Sequence, residues 1–380
     1  MMTLREQTCK TTDSYCYLSG RVKVMELSLI DSSRLTRLIE AKTEDDISRI
    51  LAECGYPSDQ SPEDMLRAES IAIIEWLQEE MPEPIYAEIF LAFHDGHNLK
   101  LALKKLLTHW MQRNPRHIET QSEKIIEKRD DQETEKAFEK RPVFGLGEGV
   151  PPLGDAASMA LLPASVPPSD LYQYIAEDRI DDLPGWLGKA AHEAIKQYMN
   201  RYELGDVDSY LDQQAWRQAH FLANQTGDAF FIFWLRHKTD LINFQLLLRT
   251  RAMRSGEETL KRTLLPGGLI DEAEILNLYN EPDEAIQSFY KKTPYSELAE
   301  WSKEYEKGQA ARFSRIADHF LMAYVQKARR IVVGPEVPLG FVLTRQAEIM
   351  NVRIILSCLR NNLPKAQLQN LLRDISVGWR

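Results

Sequence analysis

One motif recurs three times along the chain: Asp95-Gly-His-Asn98-Leu-Lys100-Leu-Ala-Leu103, Asp240-Leu-Ile-Asn243-Phe-Gln245-Leu-Leu-Leu248 and Glu348-Ile-Met-Asn351-Val-Arg353-Ile-Ile-Leu356. Each copy reads acid, two residues, asparagine, apolar residue, long polar or basic residue, apolar stretch. Such a repeat restricts the fold to one that builds the same unit more than once. Turn residues keep the register upstream: Pro82-Glu83, Gly227-Asp228 and Pro335-Glu336 stand at equal distances before Asp95, Asp240 and Glu348, where they would precede helices. A fainter match sets Leu161-Leu-Pro163-Ala-Ser165-Val166 beside Leu264-Leu-Pro266-Gly-Gly268-Leu269.

On a helical wheel at about 100° per residue, Asp240 and Asn243 lie along one edge of a stripe made by Leu241, Phe244, Leu247 and Leu248. Gln245 borders the other edge and Arg249 faces away. Asn98 and Asn351 take the first edge of their own stripes, Lys100 and Arg353 the second. A buried amide needs hydrogen-bond partners, so the asparagines are read as ties between their helices and a neighbour. Asp95, Asn98, Asp240, Asn243, Glu348 and Asn351 thus form a structural motif. No activated nucleophile accompanies them, as a catalytic centre would require.

The texture elsewhere is also helical. Apolar residues recur in faces over 18–52, 61–80, 209–222, 298–325 and 364–375, which predicts amphipathic helices. Thr43 followed by Glu44, Asp45 and Asp46 is a helix start, with a hydroxyl for free amides and acids at the positive helix end. Ile331-Val-Val333 is too short to build a sheet. The fold class expected is all-α.

At 380 residues the chain is long enough for two or three units with cores. Its net charge of −10 opposes phosphate backbones, which argues against a nucleic-acid partner. Four scattered cysteines form neither a disulfide framework nor a zinc site. The N-terminus lacks a secretory signal pattern, and the greasiest run, 229–235, is far short of a membrane span of about 20 residues.

Two stretches interrupt the helices. Residues 119–141 carry dense charge of both signs, the pattern of a solvated helix or tail, and 142–170 are rich in glycine and proline, the chemistry of a linker. Gly145-Leu-Gly147-Glu-Gly149 is not a phosphate loop, because Val150-Pro151-Pro152 follows where a helix start is needed. Two rival readings exist. His94-Asp95-Gly-His97, with His109 and His117 downstream, has the residue types of a metal site in a helical enzyme but no HExxH spacing. A generic helical adaptor would use repeats of about 20 to 50 residues, shorter than the separation of Asn98, Asn243 and Asn351.

Together these residues resemble the C subunits of the V/A-type rotary ATPases, whose eukaryotic counterparts are the d subunits of vacuolar ATPases. The resemblance rests on Tyr17-Leu-Ser-Gly-Arg21-Val-Lys-Val, on Asn98-Leu-Lys100, on Asp240-Leu-Ile-Asn243 running into Leu248-Arg249-Thr-Arg251, and on Leu264-Leu-Pro-Gly-Gly268. Most specific is Glu348-Ile-Met-Asn351-Val-Arg353-Ile-Ile-Leu continuing to Leu359-Arg360-Asn-Asn-Leu363-Pro364.

The resemblance implies an all-helical funnel of three related modules in pseudo-threefold arrangement. The first would occupy 1–110, a charged and Gly/Pro-rich insertion 111–160, the second module 161–262 and the third 263–380. It also implies a non-catalytic part of the central stalk that binds no nucleotide or other cofactor. Such a part joins the rotor shaft to the membrane proteolipid ring, on the cytoplasmic side, without entering the membrane. Lys100, Arg249, Arg251, Arg353 and Arg360, off the apolar stripes or at their edges, are candidate charged contacts, with simple solvation as the alternative for each. The chain departs from the family over 106–160, where the insertion is long, and at Gln245, where the other two repeats are basic.

Overall fold

Helical spacing in the sequence becomes helix in the structure. The computed structural model describes residues 4–58, 60–113, 152–300, 302–305 and 310–373, and no strand occurs among them. The charged run at 119–141, the glycines at 145–149 and His117 lie outside the described residues. The helices are α1 (Leu4–Met25), α2 (Ser32–Glu40), α3 (Glu44–Glu53), α4 (Pro62–Glu80), α5 (Ile85–Arg113), α6 (Pro168–Ala176), α7 (Leu187–Arg201), α8 (Leu204–Thr226), α9 (Ala229–Ala252), α10 (Glu257–Thr263), α11 (Glu272–Asn277), α12 (Asp283–Tyr290), α13 (Ser296–Ala299), α14 (Ser302–Tyr305), α15 (Ala310–Val325), α16 (Glu336–Arg360) and α17 (Lys365–Leu371).

The three motif copies lie on α5, α9 and α16, the longest helices described; α5 and α9 begin just after their predicted turns and α16 begins within its own, at Glu336. Local chemistry sets several starts. Thr43 Oγ1 accepts from the Asp46 N–H while the Asp46 carboxylate accepts from the Thr43 N–H, a reciprocal capping box for α3. Ser61 caps α4, whose first residue is Pro62. Asp228 caps α9 by accepting from the Phe230 N–H at 2.8 Å.

The described chain forms two compact units, one of Met1–Glu88 with His220–Arg380 and one of Ile89–Ala219. In the smaller unit Leu99, Leu103 and Leu106 of α5 share a core with Ile175 of α6, Ala191 and Tyr198 of α7, and Leu211 of α8. In the larger unit Leu38, Ile47, Leu51 and Leu66 from α2, α3 and α4 pack with Val352 and Leu356 of α16 and Leu368 of α17. Each side chain of this size, fully buried, contributes about 1.5–3 kcal/mol.

Helix α16 is apolar around most of its circumference and correspondingly enclosed, with Val337, Phe341, Val342, Ile349, Val352 and Ile355 all buried. Phe341 meets the Trp76 ring of α4 edge-on, with centroids 5.9 Å apart. On α9, Phe244 stacks on Tyr290 of α12 and takes Phe313 of α15 edge-on at 5.1 Å.

Because the α3 cap is exposed and closes two hydrogen bonds with little packing, Thr43→Ala is expected to cost about 1 kcal/mol. Urea unfolding with an unchanged m-value checks this.

Candidate functional site

The three asparagines perform the same act in three places. Asn98 donates from Nδ2 to the Leu161 carbonyl and accepts the Leu161 N–H on Oδ1, both at 2.9 Å. Asn243 does so to Leu265, both at 2.8 Å. Asn351 does so to Arg373, at 2.8 and 2.9 Å. A side-chain amide pairs with a backbone peptide as another peptide would. The three asparagines are buried, Asn243 and Asn351 completely, and the Asn243 bracket to Leu265 is buried throughout, where water competes least.

The acid one turn earlier completes the bracket. Asp95 accepts the Ser165 N–H at 2.8 Å, and Asp240 accepts the Leu269 and Ile270 N–H groups at 3.0 and 3.1 Å. Ser165 and Leu269 each lie four residues beyond the bracketed Leu161 and Leu265. The true register of the fainter repeat therefore sets Leu161 against Leu265, one residue beyond the match that aligned the Leu-Leu-Pro runs. Glu348 differs: its Oε1 accepts the Ile30 N–H at 2.6 Å, so the third acid holds a residue from the beginning of the chain.

Two glycines make room for the second bracket. Gly267 has φ +93°, in the region L side chains avoid, and a Cβ there would stand 2.5 Å from the His220 ring. A Cβ at Gly268 would collide with Asp240 Oδ1. Asp240 also accepts from Tyr295 Oη at 2.6 Å, and Tyr295 Oη in turn takes a hydrogen bond from His237 Nδ1 at 2.9 Å. Burial pushes the Asp240 carboxyl above its ordinary range.

Around Glu348 lies a buried ionic cluster that reading the sequence missed. Arg345 donates from Nη1 to Glu348 at 3.0 Å and from Nη2 to Ser28 Oγ at 2.7 Å. Its Nε stands 3.1 Å from a Glu69 carboxylate oxygen, and its guanidinium lies over the Tyr56 ring at 4.9 Å. Burial pushes the Glu348 carboxyl up to about 7, against the opposing pull of Arg345 and the Ile30 amide. The sequence held one signal: Arg345 is the only charged residue between Glu336 and Glu348 on an apolar helix.

The acids of the three upstream turns share one electrostatic neighbourhood, that of Tyr86. Asp228 is raised first by burial and then by the charge of Glu336. The Tyr86 hydroxyl is raised by burial and by Asp228, Glu83 and Glu336. Tyr15 of α1 donates to Glu83. Glu83, Asp228 and Glu336, equivalent in the repeat, thus all act electrostatically on the Tyr86 hydroxyl.

His94 and His97 hold backbone. His94 Nδ1 meets the Pro163 carbonyl at 2.7 Å and His97 Nε2 the Met159 carbonyl at 3.1 Å. Burial lowers His94, consistent with a neutral ring donating to that carbonyl. No group of three or more His, Cys, Asp or Glu residues placed to hold a metal ion occurs among the described residues.

The five candidate cations sort by their partners. Lys100 pairs with Asp212 at 2.6 Å. Arg251 donates to the carbonyls of Leu278, Tyr279 and Glu281 and pairs with Asp283 at 2.9 Å. Arg360 grips Glu44 with two nitrogens, at 2.8 and 3.2 Å, and reaches Glu63 at 3.4 Å. Arg353 lies 4.0 Å from Glu63 and is half-exposed. Arg249 is exposed.

A family profile described as ATP synthase (C/AC39) subunit matches residues 18–144 and 153–371. The chain belongs to that family, and so is a subunit of a rotary ATPase with partners in that complex rather than an enzyme in its own right. It is 20% identical over 367 residues to the C subunit of the V-type sodium ATPase of Enterococcus hirae, covering 95% of this chain and 98% of that protein. No described helix is long and apolar enough to cross a membrane.

Asn243→Ala strands the buried N–H and C=O of Leu265, so a loss of about 2–5 kcal/mol is expected in urea unfolding. Gly268→Ala, which drives a methyl into Asp240, is expected to cost about 1–3 kcal/mol. His220 gives a pH signature. Thr239 donates to the Leu235 carbonyl and so accepts from His220 Nε2, 2.9 Å away. Burial lowers this imidazole to about 4, so the unfolded chain binds the extra proton first. Stability is then lost as pH falls below about 6.5 toward 4, about 2 kcal/mol of it by pH 5. His220→Gln should remove that part of the pH 7 to pH 5 decline in urea midpoints.

Proposed function

We propose that the chain is the central-stalk socket of a V/A-type rotary ATPase. In this reading it joins the rotor shaft to the membrane proteolipid ring and transmits torque for ATP-coupled proton or sodium transport. The relative from Enterococcus hirae belongs to a sodium ATPase, which keeps sodium beside protons as the transported ion. The chain would lie on the cytoplasmic side, bound to the membrane through its protein partners and carrying no cofactor of its own.

The observation that carries the reading is a family match spanning nearly the whole chain, joined to the recurrence of one bracket on α5, α9 and α16. A torque-bearing part has to resist local unfolding. Brackets that tie loop backbone to helix interiors raise the free energy of local opening.

The same recurrence supports a pseudo-threefold funnel of three modules, 1–110, 161–262 and 263–380, with 111–160 inserted. Each proposed module holds one bracket asparagine: Asn98, Asn243 and Asn351 in turn. The convergence of Glu83, Asp228 and Glu336 on the Tyr86 hydroxyl supports it further. Of the candidate contacts, Arg249 and Arg353 keep most of their charge for a partner. Lys100, Arg251 and Arg360 serve the chain itself first and would contribute to an interface only at its rim.

The test is recovery of the tagged chain from gently solubilised membranes, with mass spectrometry of what accompanies it. Rotary ATPase subunits including the proteolipid are expected. Recovery of the chain alone from cells whose rotary complex is intact would overturn the proposal and favour a generic adaptor. Charge reversal of Arg249 and Arg353 together is expected to lower recovery of the complex about tenfold without changing the thermal midpoint of the isolated chain.

A further inference from the structure

The short 3-10 turn Gln326–Arg330 follows α15 and carries Lys327, Arg329 and Arg330. Residues 326–333 contain these three cations and no acid, on a chain of net charge −10. Lys327 and Arg330 are exposed, and Val332, two residues beyond, is 80% exposed. Arg330 makes no ion pair among the described residues, while Lys327 lies over the Tyr324 ring at 4.8 Å.

The turn is held from beneath. Ala328 between the cations is buried, and the Ile331 N–H closes the turn on its carbonyl at 3.0 Å. Gly340 of α16 permits the approach: a Cβ there would stand 2.8 Å from the Ala328 Cβ. Lys327, Arg330 and Val332 are therefore displayed on a frame that needs no ordering when a partner arrives, which removes an entropic cost of binding. At physiological salt, charge acts over about 8 Å, so the local charges rather than the acidic whole decide what docks: the exposed Lys327 and Arg330, with Glu336 beside Gly334 and Asp228 near the Tyr324 ring as the acids of the same neighbourhood.

We infer that the turn 326–332 is a docking surface for an acidic, partly apolar protein surface, with Lys327 and Arg330 meeting carboxylates and Val332 entering an apolar recess between them. The inference rests on the stalk reading only in supposing that the partner belongs to the same complex. The chemistry of the surface stands without it. Exposed charges of this kind govern encounter rate and specificity, and a projecting aliphatic group adds the desolvated centre that charge alone lacks.

The full-length chain is titrated against a fluorescein-labelled random copolymer of glutamate and tyrosine at about 0.15 M salt, followed by anisotropy. Binding is expected, with K327E/R330E weakening it on the order of tenfold and Val332→Ser about threefold. Thermal midpoints should move little, because Ala328 and Gly340 are untouched and only the exposed Lys327 contact with the Tyr324 ring is lost. No binding by the unaltered chain, or binding indifferent to K327E/R330E, overturns the inference. So does stronger attachment to phosphatidylglycerol vesicles through the same residues, which would assign the turn to a lipid surface.

Membrane pull-downs then separate this inference from the stalk reading. Rotary subunits recovered with the unaltered chain but lost with K327E/R330E support both. Recovery with both chains overturns the docking surface and leaves the stalk reading standing. Recovery with neither overturns the stalk reading, while the copolymer titration still decides the surface.

Discussion

The structure depends on a side-chain amide acting as a peptide group inside a helix packing face. An asparagine at the right turn of a long helix can satisfy both the donor and the acceptor of one residue on a segment that has no regular partner. Leu265 and Arg373 each return 22 residues after the asparagine that holds them. Leu161 returns after 63, the extra length falling where the insertion lies. Once the backbone is fixed at that residue, the acid one turn earlier can take the next free amides. The apolar residues beyond then have a defined place to pack. Leaving any of these groups buried and unpaired would cost about 1–3 kcal/mol each, which is why asparagine and acid stand together in every copy.

The third bracket shows how the device adapts. With Asn351 on Arg373, the acid is Glu348, one methylene longer than the aspartates, and it reaches Ile30. The carboxylate is drawn into a site with Arg345 and Glu69, and the beginning of the chain is tied to its last long helix. A buried charge pair is a poor source of net stability, because desolvation offsets much of the attraction, but breaking one partner leaves the other uncompensated. Loss of any one member of the cluster is therefore the costly change, since it leaves a buried charge without its partner.

How much of this was legible in the sequence depends on how local each cause is. The all-helical fold followed from periodicity, and the α3 start from Thr43 and the acids after it. The repeat identified Asn98, Asn243 and Asn351, but the wheel placed Asp240 and Asn243 at a stripe edge when both are completely buried. Composition prices acids and amides as surface residues, and only the loop amides that meet them reverse that. The one-residue shift between Leu264 and Leu265 was invisible because hydrogen bonds, not side-chain likeness, set the register. Ile30 and Ser28 carried no signal, since their roles come from residues more than 300 positions away. The acceptors that Arg251 finds within the chain, the carbonyls of Leu278, Tyr279 and Glu281, left no trace in the sequence because they are backbone.

The central claim is that three bracketed peptides lie outside the helix ladders yet share the stability of the cores they touch. Native-state hydrogen exchange tests it most directly, read at the amides of Leu161, Leu265 and Arg373. All three are expected to exchange only with global or near-global opening, as slowly as the interior amides of α9 and α16. Exchange at the rate of neighbouring loop amides, with local opening free energies near zero, would contradict it.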